Sequence, residues 1–171
     1  MNEKVVFDFL ETNQIEYKLF KHQPVFKAED KPILIDSDGV NTIPGLQSKT
    51  LFLKDKKTGA FFLVSVSEQK RVDLKALSEI LSCNRFTFGK EEELLEILKL
   101  TPGSVTPFGL MFDDQKKVTF VLDEDFLKAS LATFHPMRND MTIAIAPQNF
   151  LIYMEKIGHQ PKVINIPVQN I

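Results

Sequence analysis

Cysteine is almost missing from this sequence, in which Cys83 is the only one. One thiol cannot close a disulfide within the chain or build a cysteine-based zinc site, so both kinds of cross-link are excluded. Cys83 is also a weak candidate nucleophile, because the segment LSCNRF is typical of a helix end and supplies no neighbouring base. The three histidines, His22, His135 and His159, lack the spacing of a metal site. We therefore expect neither a metal nor a cofactor.

Long apolar runs are missing too. No segment approaches the roughly 20 consecutive apolar residues that a membrane-spanning helix needs. The opening stretch MNEKVVFDFLETNQ carries acidic residues inside its apolar part and has no small-residue cleavage site, so it does not fit a signal peptide. The sequence therefore predicts a cytoplasmic protein that makes no contact with a membrane.

The net charge is low, at −2, which argues against the strongly basic surface that nucleic-acid-binding proteins usually have. A local basic patch is still compatible with it. The content of 43% hydrophobic and 26% charged residues is that of a globular protein rather than a disordered one. With 171 residues, the chain is long enough for one well-packed domain, which we assign to residues 1–171.

Hydrophobic periodicity predicts a mixed α/β protein. Helical spacing is found in residues 3–13, in LKALSEILS behind a possible cap at Asp73, in KEEELLEILKL, and in APQNFLIYMEKIG, which Gly158 should end. Strand patterns occur in IEYKLF, LFLKD, FFLVSV, RFTF, KKVTFVLD, MTIAIA and PKVINI, and residues 55–59 have the composition of a hairpin turn. Because helices and strands do not alternate strictly, the sheet should be mixed rather than doubly wound and parallel.

The sequence contains partial matches to known catalytic and ion-binding motifs, but each lacks residues that the motif requires. DSDG at residues 36–39 begins like a calcium loop, but Gln47 stands where the bidentate Glu is required, so a surface turn is the better interpretation. GKEEE at residues 89–93 lacks the earlier glycine and the Ser or Thr of a phosphate-binding loop. No G-x-S-x-G elbow exists. A serine hydrolase, a P-loop protein and a calcium-binding loop are therefore disfavoured.

Lys49 stands at the mouth of an apolar strand, in the segment SKTLFL. Charged side chains are almost never fully buried without a partner, so a cation at this place needs an explanation. It can be a solvated residue ahead of the strand, as most lysines are, or a cation placed at a site. The residues around it leave both interpretations open.

Several separated motifs carry a family resemblance. They are HQPVF at 22–26, GLQSKTLFLKD at 45–55, GSVTPFGL at 103–110, FHPMRNDMTIAI at 134–145 and GHQPKVINI at 158–166. In order and spacing they resemble the YbaK/ProX-type prolyl-tRNA editing family, especially its free-standing aminoacyl-tRNA deacylases. The resemblance covers nearly the whole chain. It implies a single mixed α/β domain in which a mostly antiparallel sheet, flanked by helices, curls into a partial barrel.

The resemblance also implies a reaction. Family members hydrolyse the ester of a mischarged tRNA, typically Ala-tRNA(Pro), which prolyl-tRNA synthetase makes by mistake. A synthetase pocket that admits a larger residue cannot strongly reject a smaller apolar one, because each missing methylene is worth only about 1–3 kcal/mol. The expected partners are therefore the acceptor end of mischarged tRNA and prolyl-tRNA synthetase. The attacking water is thought to be oriented by a hydroxyl of the substrate, so no protein nucleophile is expected.

Within the resemblance, Lys49 matches the essential lysine of the family's K-N-L-F-L motif. A positive charge there can hold phosphate or ribose oxygens and stabilise the oxyanion that develops at the ester. Thr50 departs from the pattern, since many alanine-specific members have an asparagine that contacts the aminoacyl group. Its side chain is shorter and stiffer, so the substrate preference is open at this position.

Further site residues follow from the same resemblance. His135 matches the family histidine that borders the pocket and limits the size of the amino-acid side chain, and Asn139 matches the asparagine of H-P-x-x-N. Without the family, both residues have ordinary structural roles at a strand end and in a turn. The pocket-wall loop, in which glycines let backbone groups approach a ligand, is expected to use Gly103, Ser104, Val105, Pro107 and Gly109.

Basic residues near the hairpin are candidates for contacts with tRNA phosphates. They are Lys54, Lys56, Lys57, Lys70 and Arg71. A solvated hairpin turn explains the same residues without any RNA.

Three other functions remain open. The departure at Thr50 is compatible with a non-catalytic relative that binds tRNA or the synthetase. It is equally compatible with a deacylase for another small amino acid, namely Ser, Thr or Cys. A sensor of free amino acids ranks last among them.

Overall fold

The structure is a computed structural model that describes residues 2–26, 32–35 and 42–170, so the turn predicted at 36–39 lies outside the described residues. The α-helices are α1 Asn2–Thr12, α2 Leu74–Ile80, α3 Glu91–Leu98, α4 Asp125–Lys128 and α5 Pro147–Lys156, and Pro107–Phe112 forms a 3-10 helix. The strands are β1 Lys18–His22, β2 Leu34–Ile35, β3 Ser48–Asp55, β4 Phe61–Ser67, β5 Phe86–Phe88, β6 Val118–Asp123, β7 Ala132–Phe134, β8 Met141–Ile145 and β9 Lys162–Ile164.

The strands form two sheets where the sequence predicts one curled sheet. One sheet has the order β2-β1-β8-β7 and is antiparallel throughout. The other has the order β5-β3-β4-β6-β9, in which β4–β6 and β6–β9 are parallel. Five of these seven pairings are antiparallel, which confirms the mixed, mostly antiparallel α/β class. The strands of the described ranges do not close into a barrel.

A short backbone contact joins the two sheets just before β3. The Leu46 N–H donates to the Leu131 carbonyl at 2.8 Å, and the Leu46 carbonyl accepts from the Thr133 N–H at 3.1 Å. Leu46 and Ala132 thereby form an isolated parallel bridge. Sequence reasoning missed β7 because three residues are too few to show a period-2 pattern. The two sheets are thus connected by hydrogen bonds at this bridge.

The five-stranded sheet is buried on both faces, which explains why the segment FFLVSV of β4 is apolar except for Ser65. On the face turned toward the other sheet, rings of Phe108, Phe134, Phe150 and Tyr153 pack together with centroids 4.5–6.2 Å apart. The Tyr153 hydroxyl donates to the Phe108 carbonyl at 3.1 Å. On the opposite face, a second apolar cluster forms beneath α2. Strands buried on both sides do not alternate, as observed here.

Local signals in the sequence place most helix ends correctly. The Asp73 carboxylate accepts from the Ala76 N–H at 3.0 Å and caps α2. Gly158, with φ of +78°, follows the end of α5. Within α3, Leu94, Ile97 and Leu98 are buried, whereas Leu95 is 54% exposed. None of the helices in the described ranges has the length and apolarity to cross a membrane.

Substitution of two glycines, Gly45 beside the bridge between the sheets and Gly59 away from it, would show how closely that bridge is packed. Gly45 has φ of +108°, and a Cβ built on it would lie 2.7 Å from the Leu131 carbonyl oxygen. Gly59 in the hairpin turn has φ of +77°, but its Cβ would meet nothing nearer than 3.9 Å. Gly59→Ala should therefore cost only the left-handed strain, about 1 kcal/mol. Gly45→Ala should cost about 1–3 kcal/mol more, because overpacking is added.

Denaturant titrations of the two alanine variants and the wild type would measure both free energies of unfolding. Equal losses in the two variants would show that Leu131 can move away and that the bridge is not tightly packed.

Candidate active site

A cleft of about 170 Å³ opens where β3 and β4 meet the antiparallel sheet. Its walls come from the first residues of β3, the turn after β4, the loop at 103–106, and β7 and β8 with the residues that follow β1. A cavity of about 150 Å³ accommodates a benzene-sized group, whereas drug-sized ligands occupy about 300–1,000 Å³. The cleft therefore fits a group the size of a small amino acid, with the rest of a larger ligand outside.

Lys49 and Thr50 line the cleft from adjacent positions of β3. Successive side chains of a strand point to opposite faces, so the two residues border the cleft from different faces of the sheet. The Thr50 hydroxyl lies 2.8 Å from the Ser65 hydroxyl of β4, its cross-strand partner. Lys49 pairs with Val66 on the other face, toward the apolar cluster beneath α2.

The edge of β3 at Thr50 faces the cleft. The Phe52 carbonyl accepts from the Gly89 N–H at 2.9 Å, and the Leu46 carbonyl accepts from the Thr133 N–H, so even-numbered residues direct their backbone groups away from β4. By this alternation the N–H and C=O of Thr50 point to the same edge. There, β5 pairs only with Leu53–Asp55. The edge of β3 near Thr50 thus lies between the bridge to β7 at Leu46 and the start of the pairing with β5 at Leu53.

Two residues of opposite charge, Lys49 and Glu68, line the cleft. Within the described ranges, no hydrogen bond or ion pair engages the Lys49 ammonium. A cation that is half-buried at a cleft and has no partner in the described part of the chain is available to an anionic ligand.

His135 lies at the cleft wall with a defined tautomer. Its Nδ1 lies 2.8 Å from the Met141 carbonyl oxygen, which can only accept, so Nδ1 carries the proton. Burial lowers the pKa of His135, and His22 lowers it further, with ring centroids 6.1 Å apart. The neutral ring therefore offers an Nε2 lone pair at the cleft wall. His22 is itself fixed, because its Nε2 lies 2.8 Å from the Thr142 hydroxyl.

The predicted pocket-wall loop divides into two parts. Gly103 and Val105 line the cleft. Ser104 lies outside the lining and is buried, with its hydroxyl donating to the Thr101 carbonyl at 3.2 Å. Pro107 is the first residue of the 3-10 helix, and a Cβ on Gly109 would meet the Leu98 carbonyl oxygen at 3.0 Å. These three residues hold the loop in place rather than facing a ligand.

Asn139 also lies outside the cleft lining, where it fastens a cleft wall. Its side-chain amide donates to the Val25 carbonyl at 3.0 Å, and its own carbonyl accepts from the Val25 N–H at 3.0 Å. Val25 and Phe26 are cleft-lining residues. Asn139 therefore contributes through the position of the segment it binds.

Two of the predicted tRNA-contacting lysines are engaged in ion pairs. The Lys54 ammonium lies 2.7 Å from the Glu93 carboxylate. The Lys70 ammonium lies 2.6 Å from Asp123 and 2.8 Å from Asp125. Their charges are therefore largely compensated within the protein.

The other three predicted tRNA contacts, Lys56, Lys57 and Arg71, are exposed. Lys56 and Lys57 sit in the hairpin turn, seven and eight residues beyond Lys49, which is about 23–26 Å at the usual rise of a strand. Arg71 follows β4 at the cleft end of the sheet. The structure thus divides these positions between the two ends of the hairpin.

Several cleft residues were missed in the sequence. All six have polar side chains, and three of them lie on strands: Gln47, Ser48, Glu68, Thr106, Thr133 and Thr142. Thr142 could have been found, because it is the polar position in the apolar run MTIAI. In the described part of the chain, no three His, Cys, Asp or Glu side chains lie close enough together to hold a metal ion.

Comparisons with a family model and with known sequences place this chain in the same family. The model of the aminoacyl-tRNA editing domain matches residues 40–151. Prolyl-tRNA synthetase associated domain-containing protein 1 of Xenopus laevis is 38% identical over 149 residues, which cover 85% of each chain. Prolyl-tRNA editing protein ProX of Acetoanaerobium sticklandii is 30% identical over 164 residues, which cover 96% of this chain and 97% of the relative.

Solved structures agree on the fold. A crystal structure of a protein assigned as a trans-editing enzyme for prolyl-tRNA synthetase superposes with a TM-score of 0.70, covering 99% of this chain and 98% of that one. The two sequences are 20% identical, so the likeness concerns the fold alone.

The buried state of His135 predicts a pH dependence of stability. Its pKa is lowered in the folded protein, while in the unfolded chain it titrates near 6.5. The unfolded state therefore binds more protons as the pH falls through about 6.5, and the stability that neutral His135 allows is lost toward its lower folded pKa. His135→Asn keeps an amide donor for the Met141 carbonyl and cannot be protonated. The difference in unfolding free energy between wild type and variant should therefore shrink from pH 7.5 to pH 5.

Denaturant midpoints at a series of pH values would measure this difference. The pKa of His159 is also lowered by burial, but His159 is present in both proteins, so its contribution cancels. A difference that stays constant with pH would contradict the assignment of a neutral His135.

Proposed function

Because this chain belongs to the aminoacyl-tRNA editing domain family, we propose that it is a trans-acting deacylase that hydrolyses mischarged Ala-tRNA(Pro). The observation that carries the proposal is Lys49, a cation with no partner among the described residues, at a cleft of about 170 Å³. Its family match and its place at the cleft favour the site interpretation over a merely solvated lysine.

The chemistry needs little from protein side chains. Water attacks the ester carbonyl carbon, the carbonyl oxygen becomes an oxyanion, and the bond to the ribose oxygen breaks as that oxygen takes a proton. The products are the free amino acid and tRNA. Lys49 would stabilise the negative charge at the oxyanion or hold a neighbouring phosphate. A ribose hydroxyl of the substrate would orient the water. Ser48 lines the cleft, but its hydroxyl donates to the Thr133 carbonyl, which cannot take its proton.

The size of the cleft supports a small aminoacyl group. His135 borders it, and the bond from Nδ1 to the Met141 carbonyl keeps the ring from swinging away. A histidine held in this way limits the length of the side chain that can enter. A pocket that admits alanine and excludes proline supplies the second selection step that a synthetase lacks.

The proposed partners are the acceptor end of tRNA and prolyl-tRNA synthetase. The first follows from the substrate, and the second is supported by relatives that are named for their association with that enzyme. The remaining exposed basic residues, Lys56, Lys57 and Arg71, are proposed phosphate contacts beyond the cleft. We place the protein in the cytoplasm and assign residues 1–171 to one editing domain.

A second candidate arises from Thr50. Its hydroxyl is shared with Ser65 at 2.8 Å, so only part of its hydrogen-bonding capacity remains for a substrate. A deacylase for Ser-, Thr- or Cys-tRNA, or a relative that binds tRNA without hydrolysis, would be compatible with this arrangement.

Substitution of Lys49 is the direct test. Lys49→Ala should lower kcat for deacylation of Ala-tRNA(Pro) by about 100-fold or more, the usual effect of removing one oxyanion-stabilising group. Separately charged Ala-, Ser-, Thr- and Cys-tRNAs would be incubated with wild type and variant, and loss of the ester would be followed with time. Lys117→Ala is a matched control, because Lys117 is exposed and precedes Val118, which pairs with Phe61 at the far end of β4.

Hydrolysis of none of the four esters by the wild type, together with tight binding of uncharged tRNA, would favour the non-catalytic relative. Equal hydrolysis by the wild type and Lys49→Ala would contradict the role of the lysine.

A second substitution tests whether Thr50 contacts the substrate. Thr50→Val keeps the shape and removes the hydroxyl, so kcat/KM should fall by about two- to tenfold, the worth of one hydrogen bond. Ser65→Ala removes the partner hydroxyl, but Ser65 does not line the cleft. Its effect on kcat/KM should therefore be smaller. If both variants lose activity equally, the hydroxyl pair is structural and Thr50 does not bind the substrate.

A further inference from the structure

Glu68 is a cleft residue to which the reaction described above gives no role. It follows β4 directly, and its N–H donates to the Gln47 carbonyl at 3.0 Å. That bond continues the β3–β4 register by one pair, because Ser48 is opposite Ser67. Glu68 is therefore held by backbone hydrogen bonding at the strand end, and its side chain is partly buried at the cleft.

The register places Glu68 beside Lys49. Lys49 lies opposite Val66, and cross-strand partners share a face of the sheet. Glu68 is two residues beyond Val66, so it returns to that same face. Diagonal neighbours of this kind have Cα atoms about 7–8 Å apart, within reach of long side chains. A cation and a carboxylate thus border the cleft from one face of one hairpin.

An ion pair close to Glu68 in the sequence holds the chain that follows β4. Two residues further on, the Lys70 ammonium bridges Asp123 and Asp125 at 2.6 and 2.8 Å. The Asp123 side chain is fully buried, so this ion pair anchors the chain just after the turn that carries Glu68. The backbone at Glu68 is therefore held by contacts at Gln47 and at Lys70.

An aminoacyl ester carries two groups that are stabilised by protein side chains of opposite charge. The carbonyl oxygen becomes negative during hydrolysis, whereas the α-carbon beside it bears an ammonium group. Lys49 suits the first group and repels the second. A carboxylate near the lysine compensates this repulsion and accepts charge-assisted hydrogen bonds from the ammonium.

We propose that Glu68 binds the α-ammonium group of the substrate and makes the cleft specific for esters of free amino acids. The proposal rests on the proposed function of the same cleft. Lys49 and Glu68 then hold the two ends of the reacting unit, and the carbonyl is oriented between them. Esters without a positive charge at the α-carbon lose the Glu68 contact.

The test compares two esters on one tRNA, alanyl and lactyl, which differ only in an ammonium or a hydroxyl at the α-carbon. Glu68→Gln should lower kcat/KM for the alanyl ester by about 10- to 100-fold, as expected for a hydrogen bond to a charged group. The lactyl ester should change by less than about twofold. Glu68→Asp keeps the charge and should recover part of the alanyl activity.

Glu92→Gln is the matched control, because Glu92 is exposed on α3 and its loss changes the net charge equally. This variant should treat both esters as the wild type does. If Glu68→Gln slows the two esters equally or leaves both unchanged, Glu68 does not bind the ammonium group.

A binding measurement separates this proposal from the reaction itself. Short acceptor-stem RNAs ending in amide-linked alanyl or lactyl adenosine cannot be hydrolysed, so their affinities are measurable even if the wild type cleaves no ester. The wild type should bind the alanyl RNA about tenfold or more tightly than the lactyl RNA, and Glu68→Gln should bind them equally. Equal binding of both RNAs by the wild type would overturn the proposal whatever the catalytic result.

Discussion

The site depends on one short contact, the backbone bridge that attaches Leu46 to β7. It turns the chain from the antiparallel sheet into β3 and leaves a gap along the β3 edge before β5 begins. The cleft occupies that gap. Because both sheets are packed on a common apolar cluster, neither can shift to close it without loss of core contacts. An opening between strands is thus maintained by the packing around it.

The polar groups at the cleft lie close to the hydrophobic core, and hydrogen bonds make their burial possible. Hydroxyl and imidazole groups at the cleft are bonded to one another or to backbone carbonyls, as with His22 and Thr142 or Ser48 and the Thr133 carbonyl. Polar groups that are satisfied in this way cost little to bury. The residues left with capacity for a ligand, Lys49 among them, are those that line the opening.

The sequence predicts the local features of this protein well and the long-range ones less well. Asp73 and Gly158 carry their own signals, and the hairpin at 55–59 identifies the β3–β4 pairing. The roles of Asn139 and Lys70 depend on partners 114 and 53 residues away, which no periodicity reports. The family motifs bring Lys49, Thr50 and His135 to one place, yet they do not separate residues facing the cleft from those supporting it, such as Gly109.

The paired bonds between Asn139 and Val25 have a consequence for the thermodynamics of binding. They hold residues 22–26 in place before any ligand arrives, and the Asp140 carbonyl adds a bond from the His22 N–H at 3.0 Å. A wall that is already ordered loses little conformational entropy on binding. Discrimination between ligands then depends on their fit to a wall that is already in place, and even a small cleft can be selective without being a tight binder.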